Sequence, residues 1–134
     1  MKSSPFQIIN ASAGSGKTYA LVYAYLNKLL SNNREDGYRN MLALTFTNKA
    51  VNEMKFRILH NLFLVAHHIQ DDKIKEIRSS LIIDLKIDLP SLQQKAHRVL
   101  NKILHEYAAF EVITLDRFTH KIIKSFAKDL KIPA

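Results

Sequence analysis

A segment of small residues, Ala11–Thr18, separates a short apolar run from a long stretch without helix breakers. The run Phe6–Asn10 is typical of a buried strand, and the stretch Lys17–Leu30 is typical of a helix. Gly14 and Gly16 allow the backbone of the connecting loop to turn its N–H groups inward and to approach a phosphate closely. A strand, a glycine-containing loop and a helix in this order predict a polyphosphate-binding loop in an α/β fold.

The side chains that follow the glycines complete the chemistry expected of such a loop. Lys17 can place its ammonium group on the β- and γ-phosphates, and Thr18 can offer its hydroxyl group to Mg²⁺. Ala11 stands where the usual pattern begins with glycine. The predicted nucleotide-binding residues are Ala13, Gly14, Ser15, Gly16, Lys17 and Thr18, with Lys17 and Thr18 as the catalytic pair and Thr18 as the metal-binding residue.

Two further transitions from strand to helix follow along the chain. The runs Met41–Phe46 and Glu111–Leu115 predict buried strands. The strand at Met41–Phe46 leads into a predicted helix from Asn48 to about Ala66, and the strand at Glu111–Leu115 leads into a predicted helix over Asp116–Leu130. Strands that alternate with helices imply a short parallel sheet with right-handed crossovers.

The region between the second and third strands is predicted to be helical. The apolar residues Ile74, Ile77 and Leu81 indicate one helix that fades before Pro90. A second helix is predicted to begin at Ser91, with Ser91 and Gln94 as a capping box. We therefore expect a helical insertion at about residues 55–110.

The loop after the second strand carries groups suited to single-stranded nucleic acid. Thr47 and Asn48 can offer small polar groups to a backbone phosphate, as can Thr45, while Lys49 supplies a cation. Phe46 offers an aromatic face for base stacking. From the residues alone, the alternative that Phe46 is a core aromatic stays open.

The last predicted helix has cations on one face and apolar residues on the other. The cations recur at helical spacing and are Arg117, Lys121, Lys124, Lys128 and Lys131. They form either a contact surface for a phosphate backbone or the solvated face of an amphipathic helix. Asp116, at the end of the third strand, either contributes to a Mg²⁺ site of the Walker B type or caps this helix.

Composition narrows the classes of function. The 134 residues include 20 Lys and Arg against 12 Asp and Glu, a formal net charge of +8, which favours a polyanionic partner. The absence of cysteine excludes a disulfide scaffold, a thiolate metal site and a cysteine nucleophile. No apolar segment approaches the roughly 20 residues of a membrane-spanning helix. We therefore expect a cytoplasmic protein with no membrane partner.

Three segments together resemble the UvrD/RecB-like superfamily-one helicases, in particular the AddA/RecB branch. Ala11–Thr18 resembles motif I of that family, and Leu44–Met54 resembles motif Ia, with Val51 where a second alanine is usual. Thr114–Phe118 resembles motif Ib, with Arg117 where the family often has serine. The resemblance extends over essentially the whole chain.

This resemblance implies an ATP-dependent motor that moves along single-stranded DNA in recombination and repair. It implies a RecA-like P-loop NTPase fold, ATP and Mg²⁺ as cofactors, and DNA contacts from Phe46, Thr47, Asn48 and Lys49. It also moves Asp116 from the Walker B role to the DNA side, together with Arg117. Gln7 is the residue for an adenine contact, which the family places upstream of motif I.

The same resemblance sets an expectation about completeness. Members of the family are many hundreds of residues long, so we expect residues 1–134 to be the amino-terminal part of the first motor domain. The expected partners are single-stranded DNA, the remainder of the helicase chain and a second helicase–nuclease subunit. The acidic motif II and the arginine finger are not matched here, so we expect negligible ATP hydrolysis by this chain alone.

Two other classes of function remain open from the residues. One is a self-contained small P-loop NTPase or kinase that uses Asp116 as its Mg²⁺ residue. The other is a non-enzymatic DNA-binding remnant that is indifferent to ATP. The segment Thr45–Met54 favours the helicase interpretation over both.

Overall fold

The computed structural model describes the backbone of residues 15–131 and the side chains of residues 18–131. The elements in chain order are α1 (Ser15–Ser31), β1 (Leu42–Thr45), α2 (Asn48–Ala66), α3 (Asp72–Leu85), α4 (Leu89–His105), β2 (Glu111–Thr114) and α5 (Leu115–Asp129). Short 3-10 turns precede each strand, at Gly37–Asn40 and Tyr107–Ala109. The predicted strand Phe6–Asn10 lies outside the described residues.

The two strands form a parallel pair, as the alternation of strands and helices predicts. The register places Leu42 opposite Glu111 and Thr45 opposite Thr114. Parallel strands need a long crossover, and here α2, α3 and α4 provide it. The short parallel sheet flanked by helices is therefore confirmed for the described residues. Every regular element between the two strands is a helix or a 3-10 turn.

The core lies between α1, α2, α3 and α4, and α2 also packs against both strands. Each helix contributes apolar residues at spacings of three and four, and these side chains are buried together. The largest of them include Leu26, Leu29, Met54, Ile58, Leu62, Ile74, Leu81, Leu92 and Ile103. Tyr25 of α1 meets Phe110, which precedes β2, in an edge-to-face contact with the ring centroids 5.9 Å apart. The strands are thereby tied to the helical layer.

Helix α4 begins earlier than the sequence predicts. Asp88 is its N-cap, and its carboxylate accepts a hydrogen bond from the amide of Ser91 at 2.8 Å. The predicted capping box of Ser91 and Gln94 is therefore wrong. The cause is the proline: Pro90 is tolerated in the first turn of a helix, where its missing N–H has no intrahelical partner. The helix begins before Pro90, not after it.

Helix α5 is capped by the last residue of β2. The hydroxyl of Thr114 accepts a hydrogen bond from the amide of Arg117 at 3.2 Å. Asp116 lies in the first turn of α5 and is exposed, so the interpretation of Asp116 as the helix cap is wrong. A carboxylate in the first turn still interacts favourably with the helix dipole.

The last two elements differ sharply in burial. Val112 and Ile113 of β2 are buried, whereas no residue of α5 is buried. Much of the apolar side of α5 faces solvent, and its most exposed apolar residues are Ile123 and Phe126. Leu130, directly after the helix, is exposed as well. No helix of the described residues is both long enough and apolar enough to cross a membrane.

Candidate nucleotide and nucleic-acid site

The start of α1 gives the predicted phosphate loop a helix amino terminus. Gln7, Ala13 and Gly14 lie outside the described residues. The backbone of Ser15, Gly16 and Lys17 forms the first turn of α1, followed by half-buried Thr18. The first amides of a helix have no intrahelical partners, so this turn presents N–H groups and the positive end of the helix dipole. This geometry fits a phosphate group.

The structure brings the two predicted DNA-binding segments to the same edge of the sheet. Thr45 and Thr114 end the two paired strands opposite each other. A helix begins directly after each strand end, α2 at Asn48 and α5 at Leu115. Because parallel strands point the same way, both loops emerge on one side, where ligands of open α/β sheets gather.

Local hydrogen bonds fix the loop between β1 and α2. The hydroxyl of Thr47 accepts a hydrogen bond from the amide of Ala50 at 3.0 Å and so caps α2. Thr45 donates its hydroxyl proton to the carbonyl of Thr47 at 3.3 Å, which tightens the loop. Thr114 caps α5 in the same way. In both helices the threonine oxygen accepts from an amide of the first turn that has no backbone acceptor. The side chain of Thr47 is thus engaged in capping and is exposed rather than buried.

Phe46 projects into solvent from the loop between β1 and α2. Its side chain is 69% exposed, so the alternative of a core aromatic is wrong. Packing against the described residues therefore stabilises this ring little. Both faces of an exposed ring can receive a nucleic-acid base.

A cavity of about 390 Å³ lies between α2, β2 and α5. Asn48 and Arg117, one from each predicted DNA-binding segment, line it together. Lys55 and Lys121 add positive charge to its wall. Thr47, Lys49 and Asp116 do not line the cavity and are exposed around it.

Two of the cations that line the cavity have partners. Lys121 forms an ion pair with Glu111 at 3.4 Å, and the ammonium group of Lys55 lies 5.0 Å from the ring centroid of Tyr107. Sequence reasoning missed Lys55 and Asn52, another lining residue. Their spacing of seven and four from Asn48 would have placed them on one side of α2.

Within the described residues, no group of three or more His, Asp and Glu side chains could hold a metal ion. The predicted metal-binding residue, Thr18, is a half-buried residue in the first turn of α1. Asp71, which follows His67 and His68 closely along the chain, caps α3 by accepting from the amide of Lys73 at 2.8 Å.

Comparisons with known proteins identify the family of this chain. The UvrD/REP helicase N-terminal domain family matches residues 3–134. The chain therefore belongs to this family.

Three curated proteins show how similar this chain is to individual relatives. The chain is 32% identical over 126 residues to an ATP-dependent helicase/nuclease subunit from Streptococcus uberis, an alignment that covers 94% of this chain and 8% of that protein. It is 31% identical over 100 residues to the protein of the same name from Natranaerobius thermophilus, covering 75% of this chain and 7% of that protein. It is 46% identical over 54 residues to the RecBCD enzyme subunit RecB of Chlamydia muridarum, covering 40% of this chain and 5% of that protein.

The chain thus spans less than a tenth of the length of these curated relatives. No solved structure matches the chain significantly.

Proposed function

We propose that this chain is the amino-terminal part of the first RecA-like motor domain of an ATP-dependent DNA helicase or helicase–nuclease. Residues 1–134 would form one unit, with a helical insertion at about residues 55–110. The observation that carries the proposal is the convergence of two loops. Thr45 and Thr114 end neighbouring parallel strands, and Asn48 and Arg117 line one cavity beside them.

The nucleotide part of the proposal rests on the first turn of α1. Residues Ser15–Thr18 form the amino end of a helix directly after Ala13 and Gly14 in the sequence. Lys17 would bind the β- and γ-phosphates, Thr18 would bind Mg²⁺, and Gln7 would contact the adenine. ATP supplies a phosphoryl group for transfer to water when bound. This chain's contribution is to bind and orient the phosphates.

The nucleic-acid part of the proposal rests on exposure and charge at the strand ends. Phe46 offers an exposed ring, while Lys49 and Arg117 offer exposed cations. Thr47, Asn48 and Asp116 complete the proposed contact surface. Single-stranded DNA suits this set because its bases are free to stack and its phosphates are close to the same side chains.

The proposed partners follow from the same set of relatives. All three relatives described above are named as subunits, two of an ATP-dependent helicase/nuclease and one of the RecBCD enzyme. We propose that this chain works with the remainder of a helicase motor and with a second helicase–nuclease subunit. Alone, the chain should hydrolyse ATP negligibly, because phosphoryl transfer needs charge stabilisation from groups of the complete motor.

The experiment that tests the nucleotide site measures Mg–ATP binding to the 134-residue chain and to Lys17→Ala by isothermal titration calorimetry. We expect binding by the chain and loss of binding in the variant, because the ammonium group on the phosphates is removed. Far-ultraviolet circular dichroism should show the same helix content in both. Equal affinity of the two proteins for Mg–ATP would refute the assignment of the phosphate loop.

The experiment that tests the DNA surface measures binding of a fluorescent oligo(dT) strand by anisotropy at several salt concentrations. We expect Arg117→Gln to weaken binding. The slope of log K against the logarithm of the salt concentration should become smaller in magnitude by about one, because one phosphate contact is lost. Lys73→Gln removes the same charge at an exposed position of α3 and serves as the matched control. It should leave the affinity and its salt dependence unchanged. Equal losses in the two variants would mean that only net charge matters.

A further inference from the structure

The outer face of α2 carries ring-bearing side chains in a row. Phe56, His60, Phe63 and His67 follow one another at spacings of four, three and four, which places them on one side of a helix. The opposite side of α2 is buried in the core, through Met54, Ile58, Leu62 and Val65. The four rings therefore face away from the core.

These rings contact one another and reach the neighbouring helix. Phe56 stacks on His60 with the ring centroids 5.3 Å apart and the planes 11° from parallel. Phe63 meets His67 at 4.3 Å, and His67 meets His97 of α4 at 5.6 Å. We call these five residues the ring ladder.

The ring ladder remains open to solvent. Phe56 is 65% exposed and Phe63 is 44% exposed. Leu104, seven residues after His97 and so on the same side of α4, is 56% exposed. A group of exposed large apolar side chains on one surface commonly marks a binding surface.

The unpaired positive charge near the ring ladder comes from α2. The basic residues of α4 are engaged elsewhere: Arg98 pairs with Glu35 at 3.2 Å, Lys102 pairs with Glu106 at 3.6 Å, and Lys95 donates to the carbonyl of Asn32. Helix α2 contains Lys49, Lys55 and Arg57, with Glu53 as its one acidic residue. Within the described residues, neither Lys49 nor Arg57 forms an ion pair. The complementary ligand is therefore an anion that also presents flat apolar faces.

We propose that the ring ladder is a second contact surface for single-stranded DNA, with bases stacked on Phe56 and Phe63 and phosphates near Lys49 and Arg57. This inference rests on the proposed DNA-binding function and extends the DNA path along α2. Lys49 lies seven residues before Phe56 and so on the same side of α2. The path is thus continuous with Phe46 and Asn48 at the amino end of the helix.

The dimensions and the chemistry favour a single strand. Phe56 and Phe63 are two turns apart, about 10.5 Å along the helix axis. That separation is roughly three stacked bases at about 3.4 Å each. A duplex hides the faces of its bases, whereas a single strand exposes them. A protein partner would have to supply acidic groups among apolar ones. Association between copies of the chain is one of the outcomes that the test below distinguishes.

The absence of tryptophan from the chain permits a direct test of stacking. The variant Phe56→Trp places one indole at an exposed position of the ring ladder. We expect an oligo(dT) strand to quench its fluorescence in a saturable way, because a base stacks on the indole. Phe56→Leu keeps an apolar side chain without a ring, and we expect it to weaken oligo(dT) binding roughly five- to tenfold.

Two controls separate stacking from simple charge attraction. Ile83→Trp places the indole on α3 at a position 73% exposed, and oligo(dT) should not quench it. An abasic strand of the same length carries the phosphates without the bases, and it should not quench Phe56→Trp. Equal quenching by both strands would overturn the proposal, as would equal quenching of both indoles.

The outcomes distinguish this inference from the proposed function. If oligo(dT) binds, Arg117→Gln weakens it and Phe56→Trp is not quenched, the ring ladder is not part of the DNA path and the proposed function stands. If no oligo(dT) binds the unmodified chain, both are overturned. If the emission of Phe56→Trp shifts with protein concentration and not with DNA, the ring ladder is a contact between copies of the chain, and the proposal is wrong.

Discussion

Tyr38 joins the 3-10 turn before β1 to the end of α4. Its side chain is buried, and its hydroxyl donates a hydrogen bond to Glu106 at 2.9 Å and lies 3.2 Å from the carbonyl of Lys102. The guanidinium group of Arg39 also donates to Glu106, at 3.1 Å. This small network holds the crossover helix against the turn that leads into the first strand.

Removal of the Tyr38 hydroxyl should therefore destabilise the fold. We expect Tyr38→Phe to lower the free energy of unfolding by about 1 kcal/mol, because one hydrogen bond is lost and the ring stays in place. Urea unfolding followed by circular dichroism measures this change. Tyr107→Phe removes a hydroxyl from an exposed ring and is the matched control, with a change within about 0.5 kcal/mol. Equal effects of the two variants would contradict this role of Tyr38.

At the scale of elements, α5 is the helix with the least tertiary support. None of its residues is buried, so packing fixes it weakly and its N-cap matters more than usual. Its amphipathic pattern is clear, with cations on one side and exposed apolar residues such as Phe126 on the other. Four cations of the predicted basic face lie on α5, namely Arg117, Lys121, Lys124 and Lys128. The prediction is wrong for Lys131, which lies beyond the end of the helix at Asp129 with a positive φ of 55°. Much of the apolar side is exposed.

The contribution of the Thr114 cap to α5 can be tested by substitution. We expect Thr114→Ala to destabilise the helix by about 1 kcal/mol, because the amide of Arg117 loses its acceptor. Amide hydrogen exchange should become faster in α5 and stay unchanged in α2. Thr114→Ser keeps the oxygen and should retain most of the protection. Faster exchange spread evenly over all the helices would show that Thr114 supports the sheet rather than the cap.

At the scale of the whole molecule, several carboxylates couple folding to pH. The guanidinium of Arg39 and the hydroxyl of Tyr38 hold the pKa of Glu106 below its usual range. The hydrogen bond from Arg34 lowers the pKa of Asp36, and hydrogen bonds from Ser91 lower the pKa of Asp88. Glu106 connects the turn before β1 to the end of α4, whereas Asp36 and Asp88 each bond within their own turn.

The sign of the effect follows from proton binding. A carboxylate with a lowered pKa in the folded state binds its proton more readily in the unfolded chain, so acid favours unfolding. We expect the stability to be constant above about pH 5 and to fall as the pH drops below roughly 4.5. Urea unfolding at a series of pH values measures this. Glu106→Gln should flatten part of the fall, and an unchanged profile in this variant would show that Glu106 does not contribute.

Much of this fold is predictable from the sequence because the relevant signals are local. The run Asn48–Ala66 has apolar residues at helical spacing after a capping threonine, and the helix has those bounds. The strands at Leu42–Thr45 and Glu111–Thr114 lie within the predicted runs because β-branched and aliphatic residues stand between turn signals. The start of α4 differs from the prediction because Pro90 is compatible with both a boundary and a first turn.

The order of strands and helices, the phosphate-loop pattern and the family resemblance follow from the sequence alone, since each depends on neighbours along the chain. The cavity shared by Asn48 and Arg117 needs the tertiary structure, because that contact depends on the pairing of two strands far apart in sequence. The exposure of Phe46 and the ladder of rings that contains Phe56 and Phe63 also come from the tertiary structure. Burial depends on which surfaces the other helices cover, and no local pattern contains that information.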